Sequence, residues 1–321
     1  MAPMRPDAAT AQFLDMLRSA GRPPAHELPL AEARANSKGA SLALAGPKAD
    51  VHKVEDRTID TPAGKIRVRL FWPRPAAKDE LLPIVVYFHG GGFVLCDLDT
   101  HDAIARGLCK GADAIVMNVD YGLSPEHKFP SAVDEAYAAA AWAAGHAREI
   151  GGDRRRIAVA GDSAGGNLAT VVCALAKKNG TPAIAYQALL YPVVDLSGST
   201  PFESRREFGG GEYFLSTEGM AWFNTLYFND PAREARDVRA SPLFNADLRG
   251  LPPALVVTAG CDPLRDEGKQ YADRLKEAGV AVDYRCFETT IHAFMSFAAA
   301  IPAASEALAF VSGKLREGLK G

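Results

Sequence analysis

The sequence predicts an α/β fold in which a mostly parallel sheet is covered by helices on both faces. Short β-rich runs alternate with segments of helical length along most of the 321 residues, which is typical of strand–helix–strand units. The β-rich runs end repeatedly in Gly, Asp or Pro, as strands do where the chain turns. In sheets of this kind, functional residues gather at the carboxyl ends of the strands.

The individual elements follow from the pattern in chain order. Two short helices come first, in AQFLDMLRSA and LAEARANSKGASLAL, with GRPP between them. From Val51 onward the predicted strands are KIRVRLFWP, LPIVVYFHG, DAIVMNVDYG, RIAVAGDS, AYQALLYPVVD, PALVVTAGCDP and VDYRCFETT. The predicted helices between and after them are THDAIARGLCKGA, SAVDEAYAAAAWAAGHAREIG, GGNLATVVCALAKKNG, EGKQYADRLKEAG and PAASEALAFVSGKLREG. Several of these helices close with Gly, which is a common helix cap.

One stretch breaks the alternation of strands and helices. Residues 197–240 have aromatic-rich helical patterning and no clear strand. We interpret them, together with the N-terminal helices of residues 1–48, as a cap over the sheet. The predicted core is then formed by residues 49–196 and 241–321. An ordinary surface helix is the alternative interpretation of the insertion.

Composition and charge exclude several classes of partner. Lys and Arg total 36 against 39 Asp and Glu, and the two signs are interleaved, so nothing resembles a surface for nucleic acid. The five cysteines are scattered and lack metal-ligand spacing, which predicts no metal and reduced thiols in a cytoplasmic protein. Acidic residues interrupt the N-terminus where a signal peptide is apolar. No apolar stretch approaches the ~18 residues of a membrane span.

The first functional motif is a serine between a strand and a helix. In RIAVAGDSAGGNLATVV, Ser163 lies within Gly-x-Ser-x-Gly, and the flanking strand and helix are the context that this motif requires. Gly161 and Gly165 remove side chains that would collide across the sharp turn. The turn would expose the Ser163 hydroxyl at the end of a helix whose free N–H groups favour negative charge. We predict that Ser163 is a nucleophile; a purely structural turn is the alternative.

A second glycine-rich turn follows an earlier strand. The run VVYFHGGGFVL ends in three glycines, which allow backbone N–H groups to point at a bound oxyanion. We predict the donors to be the N–H groups of Gly91, Gly92 and Ala164, with Gly90 bending the loop. His89 is expected to fix the loop by hydrogen bonding. A glycine-rich hairpin without function is the alternative.

His292 is the predicted general base among seven histidines. It follows the last predicted strand and therefore lies at a strand's carboxyl end. It also comes after both the serine and the candidate acids, as the chain order Ser, Asp, His requires. The other histidines lie outside the strand–helix core, in predicted helices, beside the glycines or in a proline-bounded loop: His26, His52, His89, His101, His127 and His146.

Asp262 is the predicted acid of the triad. It follows the strand PALVVTAG, and it lies between Ser163 and His292 in the chain. Asp266 is the second choice. Asp162 is next to the serine, but adjacent side chains diverge at a sharp turn, so it is expected to accept hydrogen bonds that reinforce the turn.

Four motifs in this order resemble the bacterial esterases that are similar to hormone-sensitive lipase. They are HGGGF at 89–93, DYGLSPEHKFPSAVDEA at 120–136, GDSAGGN at 161–167 and DPLRDEG at 262–268. The resemblance covers about residues 50–320. It implies an α/β-hydrolase core with a helical cap, and hydrolysis of short-acyl carboxylic esters by Ser163, His292 and Asp262 without a cofactor.

The sequence also departs from this family and leaves some choices open. Gly122 stands where the family has arginine, and Ala293 stands where glycine usually follows the histidine. A ligand-binding receptor without catalysis is the alternative function, although such receptors lack the histidine that is present here. The cap aromatics either line an acyl pocket or pack in the core: Phe208, Tyr213, Phe214, Trp222 and Phe223. The sequence decides neither the natural ester nor whether the chain forms a homodimer.

Overall fold

The computed structural model describes residues 4–320, so residues 1–3 of the predicted N-terminal segment and residue 321 of the predicted core lie outside it. The strands are β1 (Lys53–Thr61), β2 (Gly64–Trp72), β3 (Leu82–Phe88), β4 (Ile115–Asp120), β5 (Gly152–Asp162), β6 (Tyr186–Leu190), β7 (Ala254–Cys261) and β8 (Val282–Ile291). The α-helices are α1 (Ala8–Ser19), α2 (Leu30–Leu44), α3 (Asp102–Ala112), α4 (Ser131–Gly145), α5 (Ala164–Asn179), α6 (Glu203–Phe208), α7 (Thr217–Tyr227), α8 (Pro231–Glu234), α9 (Arg265–Glu277) and α10 (Ala303–Gly318). Short 3₁₀ turns occupy Ala25–Glu27, Ala147–Ile150, Pro242–Phe244 and Phe294–Phe297.

The strands form one sheet in the order β1-β2-β4-β3-β5-β6-β7-β8. The neighbours from β4 to β8 are parallel, whereas β2 pairs antiparallel with both β1 and β4. The predicted mostly parallel sheet is therefore confirmed. The sequence pattern missed β1, because this edge strand is largely charged and buries only Ile59. Its stability depends on pairing with β2, which a local pattern does not reveal.

Helices cover both faces of the sheet, as predicted. On one face, α4, α5 and α9 bury residues such as Ala139, Val172 and Tyr271 against the strands. On the other face, α3 and α10 bury residues such as Leu108 and Val311. Burial of one such aliphatic side chain contributes roughly 1.5–3 kcal/mol to stability, so the two layers hold the strand ends in fixed positions. Within residues 4–320, no helix has the length and apolar character needed to cross a membrane.

A smaller apolar cluster lies above the loop that follows β3. Val94 and Leu95 of that loop are buried with Ala33 of α2, and the aromatic rings of Trp222 and Phe223 from α7 pack against them. The helices α2 and α7 therefore cover the loop that carries the three consecutive glycines. The residue boundaries given above for cap and core stay predictions.

Candidate active site

Ser163 occupies a strained turn between β5 and α5. Its φ of 54° and ψ of −117° lie outside the regions that L-residues normally adopt. The turn is closely packed against the end of β3, because a Cβ atom at Gly165 would lie only 1.9 Å from the Phe88 carbonyl oxygen. Only glycine fits at residue 165, and the strain at Ser163 is maintained by this packing. The turn presents Ser163 to the main cavity of the protein.

The structure brings Ser163, His292 and Asp262 into one chain of hydrogen bonds. His292 Nε2 is 2.9 Å from Ser163 Oγ, and His292 Nδ1 is 2.8 Å from Asp262 Oδ2. Asp262 is fully buried, and its Oδ1 accepts the N–H of Leu264 at 2.8 Å. A buried carboxylate facing Nδ1 favours the tautomer with the proton on that nitrogen. Nε2 is then the atom that accepts the serine proton.

Asp266, the second choice for the acid, makes different contacts. Its Oδ2 accepts the N–H of Ser204 at 2.8 Å, and its Oδ1 accepts from Arg265 Nε at 2.8 Å. Its hydrogen bonds are therefore with α6 and α9, while the carboxylate that contacts His292 is Asp262.

The three glycines after β3 form a tight loop beside Ser163. Gly91 and Gly92 have φ values of 112° and 62°, which favour glycine. A Cβ atom at Gly92 would lie 2.5 Å from the ring of Phe223, so α7 packs directly on this loop. Ala164 begins α5, and its N–H is among those that a helix leaves without an intrahelical partner. Gly91 and Gly92 line the same cavity as Ser163.

Asp162 joins the serine turn to the glycine loop. Its carboxylate is buried, and Oδ1 accepts the hydroxyl of Tyr87 at 2.6 Å and the N–H of Gly90 at 2.9 Å. Its Oδ2 lies 3.4 Å from His101 Nε2. Burial alone would raise the pKa of Asp162, but His101 and the hydrogen bonds from His101 and Tyr87 hold that pKa below its ordinary value. Asp162 therefore reinforces more than its own turn, because it also fixes Gly90.

His89 lies beneath the glycine loop and acts through its neighbours. Its Nδ1 donates to the Gly90 carbonyl oxygen at 2.7 Å, and its ring stacks on Tyr121 at 4.4 Å. Tyr121 in turn donates its hydroxyl to the His89 carbonyl oxygen at 2.7 Å. Burial, with the nearby His101 ring, lowers the pKa of His89 to about 4, so this imidazole is neutral at pH 7.

His101 is a site residue that the sequence reasoning missed. The sequence pattern predicts a helical position for it, but it precedes the first turn of α3, is buried and borders the cavity. Its Nδ1 lies 2.9 Å from Thr100 Oγ1. A usable signal was present, since a helix that directly follows β3 begins near the carboxyl edge of the sheet.

The two departures from the family pattern have local explanations. Gly122 donates its N–H to Glu135 Oε2 at 2.5 Å, and a Cβ atom there would lie 2.7 Å from the His127 ring. A larger residue at 122 would therefore displace His127. Ala293 has a φ of 60°, a left-handed conformation that glycine adopts more easily. Ala293 therefore adopts a strained backbone conformation that glycine would adopt without strain.

The cavity above Ser163 has a volume of about 890 Å³ and is lined mostly by apolar groups. Of the five cap aromatics singled out in the sequence, Phe214 and Phe223 line this cavity. Phe208 is buried in the core and contacts the ring of Tyr213 edge-on, and Trp222 packs against Phe223. Among the described residues, no group of three or more His, Cys, Asp or Glu side chains is arranged to hold a metal ion.

This arrangement has the components of acyl transfer. A hydroxyl faces an imidazole that contacts a buried carboxylate, which is the relationship that activates a serine. Gly91 and Gly92 line the same cavity as Ser163, and Ala164 follows Ser163 at the start of α5. The N–H groups of these three residues are therefore the candidates for holding an oxyanion.

Comparisons with known proteins agree with this chemistry. A model of the α/β-hydrolase fold family matches residues 85–296. The esterase LipI of Mycobacterium tuberculosis is 42% identical over 264 residues, covering 81% of this chain and 82% of that protein. The ethyl acetate hydrolase of Pseudomonas putida is 37% identical over 322 residues, covering 98% of this chain and 99% of that protein.

A solved structure extends the similarity to the whole fold. An esterase of Pyrobaculum calidifontis superposes with a TM-score of 0.90 at 42% identity, covering 97% of this chain and 98% of that one. The receptor alternative is not favoured, since these relatives are esterases. The chain therefore belongs to the α/β-hydrolase family, and within it to the carboxylic ester hydrolases that resemble hormone-sensitive lipase.

Proposed function

We propose that Ser163 attacks the carbonyl carbon of a carboxylic ester while His292 removes the serine proton and Asp262 stabilises the resulting imidazolium. The observation that carries this proposal is the chain of hydrogen bonds, 2.9 Å from Ser163 Oγ to His292 and 2.8 Å from His292 to Asp262, facing the large cavity. The oxygen of the tetrahedral intermediate is held by the N–H groups of Gly91, Gly92 and Ala164.

The reaction then proceeds in two halves. His292 returns the proton to the leaving alkoxide, so an alcohol departs and an acyl group stays on Ser163 Oγ. A water molecule loses a proton to His292 and attacks the acyl carbon. The carboxylic acid leaves, and His292 returns the proton to Ser163. No step requires a metal or cofactor, because His292 and the backbone donors supply the proton transfers and the charge stabilisation.

We propose esters with short acyl groups as the substrates. Aromatic rings are among the groups that line the cavity: Phe223 lies against Gly92, and Phe214 contacts Phe297 at 5.2 Å between ring centres. These rings offer an apolar surface to the acyl group. The similarity to an ethyl acetate hydrolase along almost the whole chain supports the same class of substrate.

The proposal is tested with p-nitrophenyl acetate, butyrate and octanoate. We expect turnover by the wild type, fastest with the two shorter esters. Ser163→Ala is expected to lose roughly 10⁴-fold or more in kcat, because the nucleophile is removed. Ser305→Ala, at an exposed position on α10, is the matched control. No turnover by the wild type would refute ester hydrolysis, and normal turnover by Ser163→Ala would refute the nucleophile.

Two finer predictions accompany this function. The cytoplasm is the proposed location, and the supporting observation is that all five cysteines, each among the described residues, are free of disulfides. A homodimer is the proposed assembly to test, by light scattering of the purified chain across a range of concentrations. A mass of one chain, 34.2 kDa, at every concentration would contradict the dimer.

A further inference from the structure

The helix α6 of the predicted cap makes direct hydrogen bonds with the loop that carries Asp262. Ser204 donates its hydroxyl to the Pro263 carbonyl oxygen at 2.8 Å and its N–H to Asp266 Oδ2 at 2.8 Å. The Asp266 N–H donates back to Ser204 Oγ at 3.2 Å. Ser204 is fully buried, so these bonds are shielded from water. Ser204 of α6 therefore holds the segment that follows Asp262 in place.

The next residue of α6, Arg205, makes a second and stronger attachment. Its guanidinium donates to Glu267 Oε2 through Nε at 3.0 Å and through Nη2 at 2.5 Å. Glu267 is fully buried in α9, and its Oε1 accepts the N–H groups of Val194 at 2.7 Å and Asp195 at 3.2 Å. One carboxylate thus ties together α6, α9 and the loop after β6.

Burying the Glu267 carboxylate costs free energy, while the Arg205 side chain keeps 18% of its surface exposed. An ion pair of this kind often contributes no more to stability than a well-packed apolar pair of similar volume. Burial raises the pKa of Glu267 to about 7 even though Arg205 acts to lower it, which agrees with a carboxylate taken far from water. The fork of Arg205 fixes direction, which apolar packing would not do.

The geometry that is fixed includes the orientation of the Asp262 carboxylate. Leu264 donates its N–H to Asp262 Oδ1 at 2.8 Å, and this leaves Oδ2 facing His292. Leu264 lies between Pro263 and Asp266, the two residues that Ser204 contacts. A shift of α6 would therefore move the Leu264 N–H and turn Asp262 away from the imidazole.

We propose that Ser204 and Arg205 are positioning residues that make the reactivity of His292 depend on the cap helix α6. The inference rests on the roles proposed for Ser163, His292 and Asp262. Arg205 also lines the cavity above Ser163, so the guanidinium that holds Glu267 of α9 borders the proposed ester-binding cavity.

The test compares Arg205→Lys with a matched control, Arg239→Lys. Arg239 also donates two hydrogen bonds from its guanidinium to a nearby carboxylate, that of Asp237. Its hydrogen bonds do not involve Pro263 or Leu264, the residues that follow Asp262. We expect Arg205→Lys to lower kcat for p-nitrophenyl butyrate about 10- to 100-fold with little change in KM, as small displacements of catalytic groups do. We also expect the acidic limb of its pH–rate profile to move to lower pH, because the imidazolium loses stabilisation by Asp262.

Ser204→Ala provides an independent arm that leaves the ion pair intact. It is expected to change kcat and the acidic limb in the same direction by a smaller factor. If both α6 variants lower only the melting temperature, with kcat and the pH profile equal to those of Arg239→Lys, the positioning role is refuted. Failure of the proposed function would be distinguishable, because it would show in the wild type and in Ser163→Ala rather than in the α6 variants.

Discussion

The site contains two buried aspartates, Asp162 and Asp262, and each lies beside a histidine. Asp262 Oδ2 is 2.8 Å from His292 Nδ1, whereas Asp162 Oδ2 is 3.4 Å from His101 Nε2. The remaining nitrogen of His292 faces Ser163 Oγ at 2.9 Å, whereas the remaining nitrogen of His101 faces a threonine hydroxyl. The two pairs have the same chemical groups and differ in what the histidine contacts.

Distance along the chain is therefore a poor guide to which carboxylate contacts the histidine beside Ser163. Asp162 is adjacent to Ser163, yet its Oδ1 accepts hydrogen bonds from Tyr87 and the Gly90 N–H, and its Oδ2 lies near His101. Asp262 lies 99 residues away in sequence, since 262 − 163 = 99, and reaches the serine through His292. The Asp162 carboxylate holds Gly90 of the glycine loop, and the Asp262 carboxylate contacts His292, the proposed base.

Neutralising Asp262 is expected to cause the largest loss of activity. Asp262→Asn removes the charge that stabilises the imidazolium and allows the amide to impose the wrong tautomer on His292. We expect a loss of roughly 10³–10⁴ in kcat, measured with p-nitrophenyl butyrate on protein whose melting temperature is known. A loss smaller than that of Asp162→Asn would reverse the assignment of the acid.

Neutralising Asp162 tests the other half of the comparison. In Asp162→Asn the Gly90 N–H loses a charged acceptor, so the donors at Gly91 and Gly92 are held less firmly. We expect a loss of about 10² in kcat, the scale of one oxyanion donor, with the pH–rate profile unchanged. A profile shifted along the pH axis would instead connect Asp162 to the base.

Replacing His101 is expected to lower kcat less than replacing either aspartate. His101→Asn removes a long contact to Asp162 and leaves the Tyr87 and Gly90 hydrogen bonds in place. We expect kcat to fall by less than about tenfold, because no reacting group is touched. The matched variant is His292→Asn, which is expected to abolish turnover; equal losses would show that the two histidines have comparable roles.

The lowered pKa of Asp162 predicts a contribution to stability at low pH. Its folded pKa lies below the ordinary value of 3.8, so the unfolded chain binds more protons than the folded one between these two values. Stability therefore rises with pH through that window and is lost as pH falls toward the folded pKa. Asp162→Asn is expected to remove this contribution to the slope of melting temperature against pH. An unchanged slope in the variant would contradict the assignment.

The smallest expected effect concerns the backbone beside His292. Ala293 adopts a φ of 60°, so Ala293→Gly relieves strain of about 1 kcal/mol. We expect a modest rise in melting temperature and kcat within about twofold of the wild type. A large loss of activity would show that the alanine methyl group, and not Asp262 alone, holds the imidazole in place.

Most of the fold was predictable because its signals are local. Each of the seven predicted strands and seven predicted helices has a counterpart within a few residues. The missing strand, β1, is polar at most positions and forms only by pairing at the sheet edge. The proposed acid Asp262 and the proposed base His292 were predictable as candidates, because strand ends converge at one edge of a parallel sheet.

The remaining parts of the site depend on contacts between distant segments. Ser204 contacts Pro263 across 59 residues of chain, and Arg205 contacts Glu267 of α9 across 62. No motif marks either residue. The cap aromatics also illustrate this limit, since Phe214 lines the cavity while Phe208 is buried in the core. Both belong to the same aromatic-rich stretch, so composition alone does not separate them.

The strand–helix alternation and the glycine turns could be predicted from the sequence, because periodicity and steric constraints act over a few residues. The order Ser163, Asp262, His292 could be read from it directly. Three contacts became visible only in the tertiary structure. His101 contacts Asp162, Asp162 accepts the N–H of Gly90, and Ser204 of α6 donates to the loop after Asp262. These contacts depend on how the packed layers bring distant segments together. That packing is a property of the whole core rather than of any local stretch.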